Sequence, residues 1–97
     1  MYIGTARLTF RLQGNDSLKG KRMVSRSLIT RLRQRFNLSV AEVGAIDVHQ
    51  TLVIGMTCVS GDASYASEML DAAVRFVEHQ HVDAELIEVE RDVMDGE

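Results

Sequence analysis

The chain lacks several residue types, and each absence narrows the choice of fold and function. Its 97 residues include no Trp, no Pro, one Cys and only five aromatic side chains. One Cys excludes an internal disulfide framework, and the scarcity of aromatic residues predicts a mainly aliphatic core. No apolar run approaches the ~18 residues of a membrane-spanning helix, and no signal peptide is recognisable. The sequence therefore predicts one cytoplasmic domain spanning residues 1–97.

Charge is divided unevenly along the chain. Residues 1–37 contain nine of the eleven Lys and Arg residues and one acid, Asp16. The remaining residues contain two basic side chains and thirteen acids. The net charge of −3 therefore conceals a basic part of +8 and an acidic part of −11. The basic part is suited to a polyanion that the acidic part would repel.

Apolar residues recur with the periods of strands and helices. Alternation and β-branched runs predict four strands, at residues 2–12, 38–46, 51–59 and 83–91. Helical spacing predicts two helices, at residues 17–36 and 63–79. Residues 92–97 are predicted to form a frayed acidic tail.

Polar residues mark the helix ends. Asp16 or Ser17 can cap the first helix and Asp62 the second, because their side chains accept hydrogen bonds from free backbone N–H groups. Asn37 is expected to end the first helix, since Asn tolerates the left-handed conformation.

The order of these elements is β-α-β-β-α-β. Two right-handed crossovers around a hairpin are typical of the ferredoxin-like split βαβ sandwich, an α+β fold. We expect an antiparallel sheet with both helices on one face and the first and third strands at its centre.

The first helix carries basic residues of one sign only. Between Ser17 and Ala41 no acid occurs. Four of the basic residues lie along one helix face, and we call them the basic stripe: Lys19, Arg22, Arg26 and Arg33. Lys21, Arg31 and Arg35 flank the other side of the apolar stripe. Because like-charge i,i+4 pairs such as Arg22/Arg26 cost ~0.2–0.5 kcal/mol each, this pattern is unusual for a helix that is merely solvated.

The pattern favours a phosphate-binding surface for RNA or DNA. The predicted phosphate contacts are Lys19, Lys21, Arg22, Arg26 and Arg33, supported by Arg7 and Arg11. Two alternatives remain open. Carboxylates of the last strand (Glu85, Glu88 and Glu90) can neutralise the first-strand arginines within the molecule, or the helix can dock an acidic protein partner.

The sheet face without helices is expected to be half apolar. It would carry Thr5, Arg7, Thr9 and Arg11 from the first strand, and Val53, Gly55, Thr57 and Val59 from the third. RNA-recognition motifs stack bases on aromatic residues of these two strands. No aromatic residue occurs at these positions of the present chain, so any nucleic-acid binding is predicted to be mainly electrostatic. The exposed valines suit a homodimer that packs sheet against sheet.

The sequence offers no recognisable catalytic or cofactor motif. Cys58 lies among apolar strand residues, where a buried and inert thiol is expected. His79 and His81 lack a third ligand at metal-site spacing, and no glycine-rich phosphate loop is present. We therefore expect no enzyme activity, no catalytic residue, no cofactor and no metal, and the sequence identifies no small-molecule substrate. An enzyme or small-molecule sensor is the least favoured alternative, since the fold alone argues for neither.

Several segments resemble the YlxP family of small bacterial proteins. The resemblance is carried by residues 17–22 (SLKGKR), Ser27-Leu28, residues 31–43 (RLRQRFNLSVAEV), Asp47, Gln50 and residues 59–62 (VSGD). The family is ferredoxin-like, has no agreed catalytic residues and is often encoded beside translation and ribosome-maturation factors. The resemblance thus implies a role near RNA or the ribosome. Two positions depart from the family: Gly20 replaces a common acidic residue that would complete a capping box, and His49 replaces a frequent Trp.

Overall fold

A computed structural model describes residues 1–80 and 83–97 of the chain. Its elements are, in chain order, β1 (Tyr2–Arg11), α1 (Leu18–Arg35), β2 (Ser39–Gly44), β3 (Thr51–Ser60), α2 (Ala63–Glu78) and β4 (Glu85–Asp95). The four strands form one antiparallel sheet in the order β2-β3-β1-β4. This confirms the ferredoxin-like α+β fold with β1 and β3 at the centre.

The core lies between one sheet face and the two helices. The inward residues of β1 and β3, including Leu8, Phe10 and Ile54, are fully buried, as are Leu32 of α1 and Leu70 of α2. Cys58 is also buried, on the same side as these residues. The opposite sheet face, which we call the open face, is covered by no described element and carries the odd-numbered residues of β1 and β3.

Both helix starts are capped as the sequence predicts. The Ser17 hydroxyl accepts a hydrogen bond from the Gly20 backbone N–H at 3.0 Å. The Asp62 carboxylate accepts from the backbone N–H of Ser64 at 2.8 Å and of Tyr65 at 3.4 Å. Each cap satisfies donors that the first helical turn leaves free.

The expected role of Asn37 at the end of α1 is wrong. The helix ends at Arg35, and Phe36 leaves it in an extended conformation, with φ −129° and ψ 147°. The Phe36 backbone N–H still donates to the Leu32 carbonyl at 2.9 Å. The chain therefore enters β2 directly, and no left-handed residue is needed.

The prediction of a frayed tail at residues 92–97 is also wrong for most of that segment. β4 continues to Asp95, and its last residues pair with the start of β1, as in Tyr2↔Asp95 and Thr5↔Asp92. β1 begins at Tyr2, so β4 must run equally far to pair its main-chain groups. The acidic side chains at 92 and 95 concealed this strand pattern.

The described helices include none that is long and apolar enough to cross a membrane.

A truncation that ends the chain at Arg91 tests the extent of β4. Because it removes the strand partners of Tyr2–Thr5, we expect a loss of about 2–3 kcal/mol in the free energy of unfolding, from several net hydrogen bonds. Urea denaturation measures this loss. Removal of Glu97 alone is the matched control and should leave stability unchanged. Equal stability of the two truncated chains would show that residues 92–95 add nothing as a strand.

Candidate phosphate-binding surface

Lys21 is a buried residue that holds the β2–β3 connection. Only 2% of its side chain is exposed. Its ammonium donates to the backbone carbonyls of Ala45, Ile46 (3.3 Å) and Val48 (2.9 Å). The prediction that Lys21 contacts phosphate is therefore corrected, because its protons already point into the protein.

The charge of Lys21 is balanced by Glu42 on β2. The Glu42 Oε2 atom lies 3.1 Å from the Lys21 Nζ atom. That oxygen is buried and accepts no directed hydrogen bond among the described residues. The three protons of the Lys21 ammonium are donated to three carbonyls, so the Glu42 carboxylate is attracted to Lys21 by its charge. Such a pair compensates the desolvation that burial imposes on both ions.

The connection that Lys21 holds has a constrained backbone. Ala45 has φ 51°, in the left-handed region that non-glycine residues seldom occupy. Its carbonyl accepts from the Val48 backbone N–H at 3.0 Å as well as from Lys21. The strained turn persists because these contacts fix it from within.

Asn15 ties the start of α1 to the same connection. Its side-chain amide donates to the Ser17 carbonyl at 2.8 Å and to the His49 carbonyl at 2.6 Å. A Cβ atom added at Gly20 would collide with the Asn15 side-chain oxygen. Gly20 therefore gives up a capping box but makes room for a bridge between α1 and residue 49.

The basic stripe is exposed along α1. Lys19, Arg22 and Arg26 make no ion pair within the described ranges, where the ion pairs are Lys21–Glu42 and Arg91–Asp71. Arg33 is exposed as well, but its guanidinium donates to the Val40 carbonyl at 2.6 Å. Val40 belongs to β2, an edge strand. The basic stripe thus borders the free edge of the sheet.

The other arginines of α1 contact α2 and the residue that follows its C-cap. Arg31 donates to the Gln80 side-chain carbonyl at 2.6 Å. The Arg35 guanidinium lies 5.1 Å from the centre of the Phe76 ring, a cation–π distance. Arg31 and Arg35 therefore contribute to the packing between the two helical segments, whereas the basic stripe faces solvent.

Arg7 and Arg11 lie on the open face, on the side of the sheet away from α1. Their cross-strand partners on β4 are acidic: Arg7 pairs with Glu90 and Arg11 with Glu85. The expectation that they support α1 in contacting phosphate is corrected, because the thickness of the sheet separates them from the basic stripe. Their surroundings favour neutralisation within the molecule.

The electrostatics of β4 are set mainly by its own carboxylates. A side-chain hydrogen bond with Glu90 raises the pKa of the Glu88 carboxyl, and the negative charge of Glu90 acts in the same direction. The positive charge of Arg7 lowers that pKa. The pKa of Glu88 is raised on balance, so the charge of Arg7 offsets only part of the effect of Glu90.

The described residues bring together no group of three side chains suited to a metal ion. His79 Nδ1 lies 2.7 Å from the Arg75 carbonyl within its own helix end. His81, the second residue of the predicted histidine pair, lies outside the described residues.

The fold defines a ferredoxin-like α+β domain, and comparison with known proteins places it in a family. A profile described as "Protein of unknown function (DUF503)" matches residues 3–91, so the chain belongs to this family. One relative is "Uncharacterized protein YlxP" of Bacillus subtilis (strain 168). It is 30% identical over 76 residues, which span 78% of this chain and 83% of the relative. The resemblance to the YlxP family is confirmed.

Substitution of Lys21 by Met tests its structural role. The methionine would leave three carbonyls and the Glu42 carboxylate without their cation, so we expect a loss of about 3–5 kcal/mol in the free energy of unfolding. Urea denaturation is the measurement. Lys19→Met, two residues away on the exposed basic stripe, is the matched control and should change stability by less than about 0.5 kcal/mol. A Lys21→Met protein as stable as Lys19→Met would contradict the assignment.

Proposed function

We propose that this protein is a non-enzymatic, cytoplasmic RNA- or ribosome-associated protein that binds phosphate through the basic stripe. The observation that carries the proposal is the exposure of Lys19, Arg22 and Arg26 without an ionic partner among the described residues. Lys21, Arg31 and Arg35 have contacts within the protein. Lys19, Arg22 and Arg26, together with the guanidinium N–H groups of Arg33 that do not bind Val40, are therefore available to an external anion.

The charges of α1 support the same proposal, because they impose two electrostatic penalties on the helix when it is unbound. Arg22 and Arg26 are one turn apart and repel each other. The first turn of α1 contains no acid, although an acid there would complement the helix dipole. A polyanion would relieve both penalties.

The dimensions of the basic stripe suit one strand of nucleic acid. At 1.5 Å per residue, Lys19 and Arg33 are separated by roughly 21 Å along the helix axis. This length can follow several successive phosphates. Neither the basic stripe nor the outward residues of β1 and β3 include an aromatic ring for base stacking. The proposed binding is therefore electrostatic and weakly dependent on base sequence.

A second candidate is an interaction module that docks an acidic protein partner. The contact between Arg33 and the Val40 carbonyl favours it, because this contact places the basic stripe beside the unpaired main-chain groups of β2. An extended acidic segment could add to that edge as a further strand. This candidate takes the lead if the protein fails to bind RNA.

The double substitution Arg22→Glu/Arg26→Glu tests the proposal. We expect the affinity for a single-stranded ribosomal-RNA fragment to fall at least about tenfold at low salt, because two phosphate contacts become repulsive. The slope of log affinity against log salt should flatten by about 1.4, or ~0.7 per lost contact. Fluorescence anisotropy across a salt series gives both quantities.

The matched control is Arg7→Glu/Arg11→Glu, which makes the same change in net charge on the open face. It should bind within about threefold of the parent protein, since it leaves the basic stripe intact. An equal loss in the two double variants would assign binding to overall charge rather than to the stripe. Absence of binding by the parent at low salt would overturn the proposal.

A further inference from the structure

The β2–β3 connection, residues 45–50, is an exposed segment whose backbone is fixed from within the protein. The Lys21 ammonium binds three of its carbonyls, and the Asn15 amide binds a fourth, that of His49. Ala45, at its start, holds a left-handed φ of 51°. Strained backbone held in this way clusters at functional sites, because elsewhere a relaxed turn would be more stable. The connection is therefore a candidate contact surface.

The connection presents two aliphatic side chains to solvent. Ile46 is 57% exposed and Val48 is 49% exposed. Their backbone carbonyls point inward to the Lys21 ammonium, at 3.3 Å and 2.9 Å. Single exposed aliphatic residues are ordinary on a protein surface, but these two belong to one fixed segment. A partner can therefore pack on both of them without first ordering the chain that carries them.

The connection adjoins the N-terminal end of the basic stripe. Lys21 lies between Lys19 and Arg22 in the sequence of α1, so the connection that its side chain holds is next to the turn that carries both. Asn15 makes a second link, because its amide binds the Ser17 carbonyl as well as the connection. A strand of nucleic acid that lies along the stripe would thus pass beside the two aliphatic side chains.

One charge on the connection decides which part of a nucleic acid it can meet. Asp47 lies between Ile46 and Val48 and is exposed. Its carboxylate repels phosphate, whereas it imposes no such penalty on an uncharged base. Apolar side chains that contact bases beside a basic surface recur in nucleic-acid-binding proteins. With the phosphates on the basic stripe, the bases are the part of the strand that suits the connection.

We infer that the β2–β3 connection packs Ile46 and Val48 against unpaired bases of a single-stranded RNA whose phosphates lie along the basic stripe. This inference rests on the proposed function and defines its ligand more closely. Bases inside a duplex are paired and stacked, so they cannot offer their faces to the connection. An aliphatic contact makes no hydrogen bond to a base edge, so it favours unpaired bases without selecting a base sequence.

The double substitution Ile46→Ser/Val48→Ser tests the inference by isothermal titration calorimetry with two probes. One is an oligouridylate of about ten nucleotides, a usual length for one binding domain. The other is inorganic polyphosphate with the same number of phosphates, which has no bases. Because the serines remove apolar contact but no charge, the affinity for oligouridylate should fall at least about fivefold. The affinity for polyphosphate should stay within about twofold of the parent protein.

The matched control is Ile87→Ser/Val59→Ser, which also replaces one isoleucine and one valine by serine. Ile87 is 45% exposed and Val59 is 67% exposed. Ile87 lies on β4, at the sheet edge opposite β2, and Val59 lies on the open face of β3. The control should bind both probes like the parent protein. Circular dichroism confirms that each variant is folded.

Three results would overturn the inference. An affinity of Ile46→Ser/Val48→Ser for oligouridylate equal to that of the control would leave the connection to a protein partner. An equal loss of affinity for both probes would show that the substitutions act on phosphate binding. Failure of the parent protein to bind either probe would refute the proposed function, and the inference with it.

Discussion

The buried ammonium of Lys21 is the interaction on which the arrangement of this protein depends. It connects the first turn of α1 to three carbonyls of the β2–β3 connection and to Glu42 of β2. An ammonium group removed from water is costly unless each proton finds an acceptor. The three acceptors are carbonyls of the same short connection. All three bonds can form together only when α1 and the β2–β3 hairpin take the relative position seen here. That position brings Arg33 to the Val40 carbonyl and turns the rest of the basic stripe toward solvent.

The charge division along the chain has two separate physical explanations. The arginines of β1 lie opposite carboxylates of β4 in the strand register. The basic stripe lies on α1, which packs on the other sheet face, and Lys19, Arg22 and Arg26 make no ion pair within residues 1–80 and 83–97. The two groups of basic residues therefore lie in different surroundings, and phosphate binding is proposed for the basic stripe alone.

The sequence predicted the fold well because period-two and helical patterns report directly on burial. It wrongly predicted a frayed tail after Arg91, although β4 continues to Asp95. Acidic residues on this edge strand hide the alternation of apolar and polar residues. It also assigned Lys21 to the surface, since residue type usually decides exposure. A signal was present nevertheless: Lys21, Ser25, Leu28 and Leu32 recur at helical spacing and are the buried residues of α1. The contacts that Lys21 makes could not be predicted, because they require the left-handed turn at Ala45.

The basic residues fall into three groups: Lys21 is structural, the basic stripe is proposed to bind phosphate, and Arg7 and Arg11 lie opposite acidic residues of β4. The most direct test is NMR titration of the labelled protein with a single-stranded RNA fragment, following the side-chain signals of these residues. The account predicts shifts at Lys19, Arg22, Arg26 and Arg33, with Lys21, Arg7 and Arg11 unaffected. Shifts centred on Arg7 and Arg11, or spread evenly over all the basic residues, would contradict it.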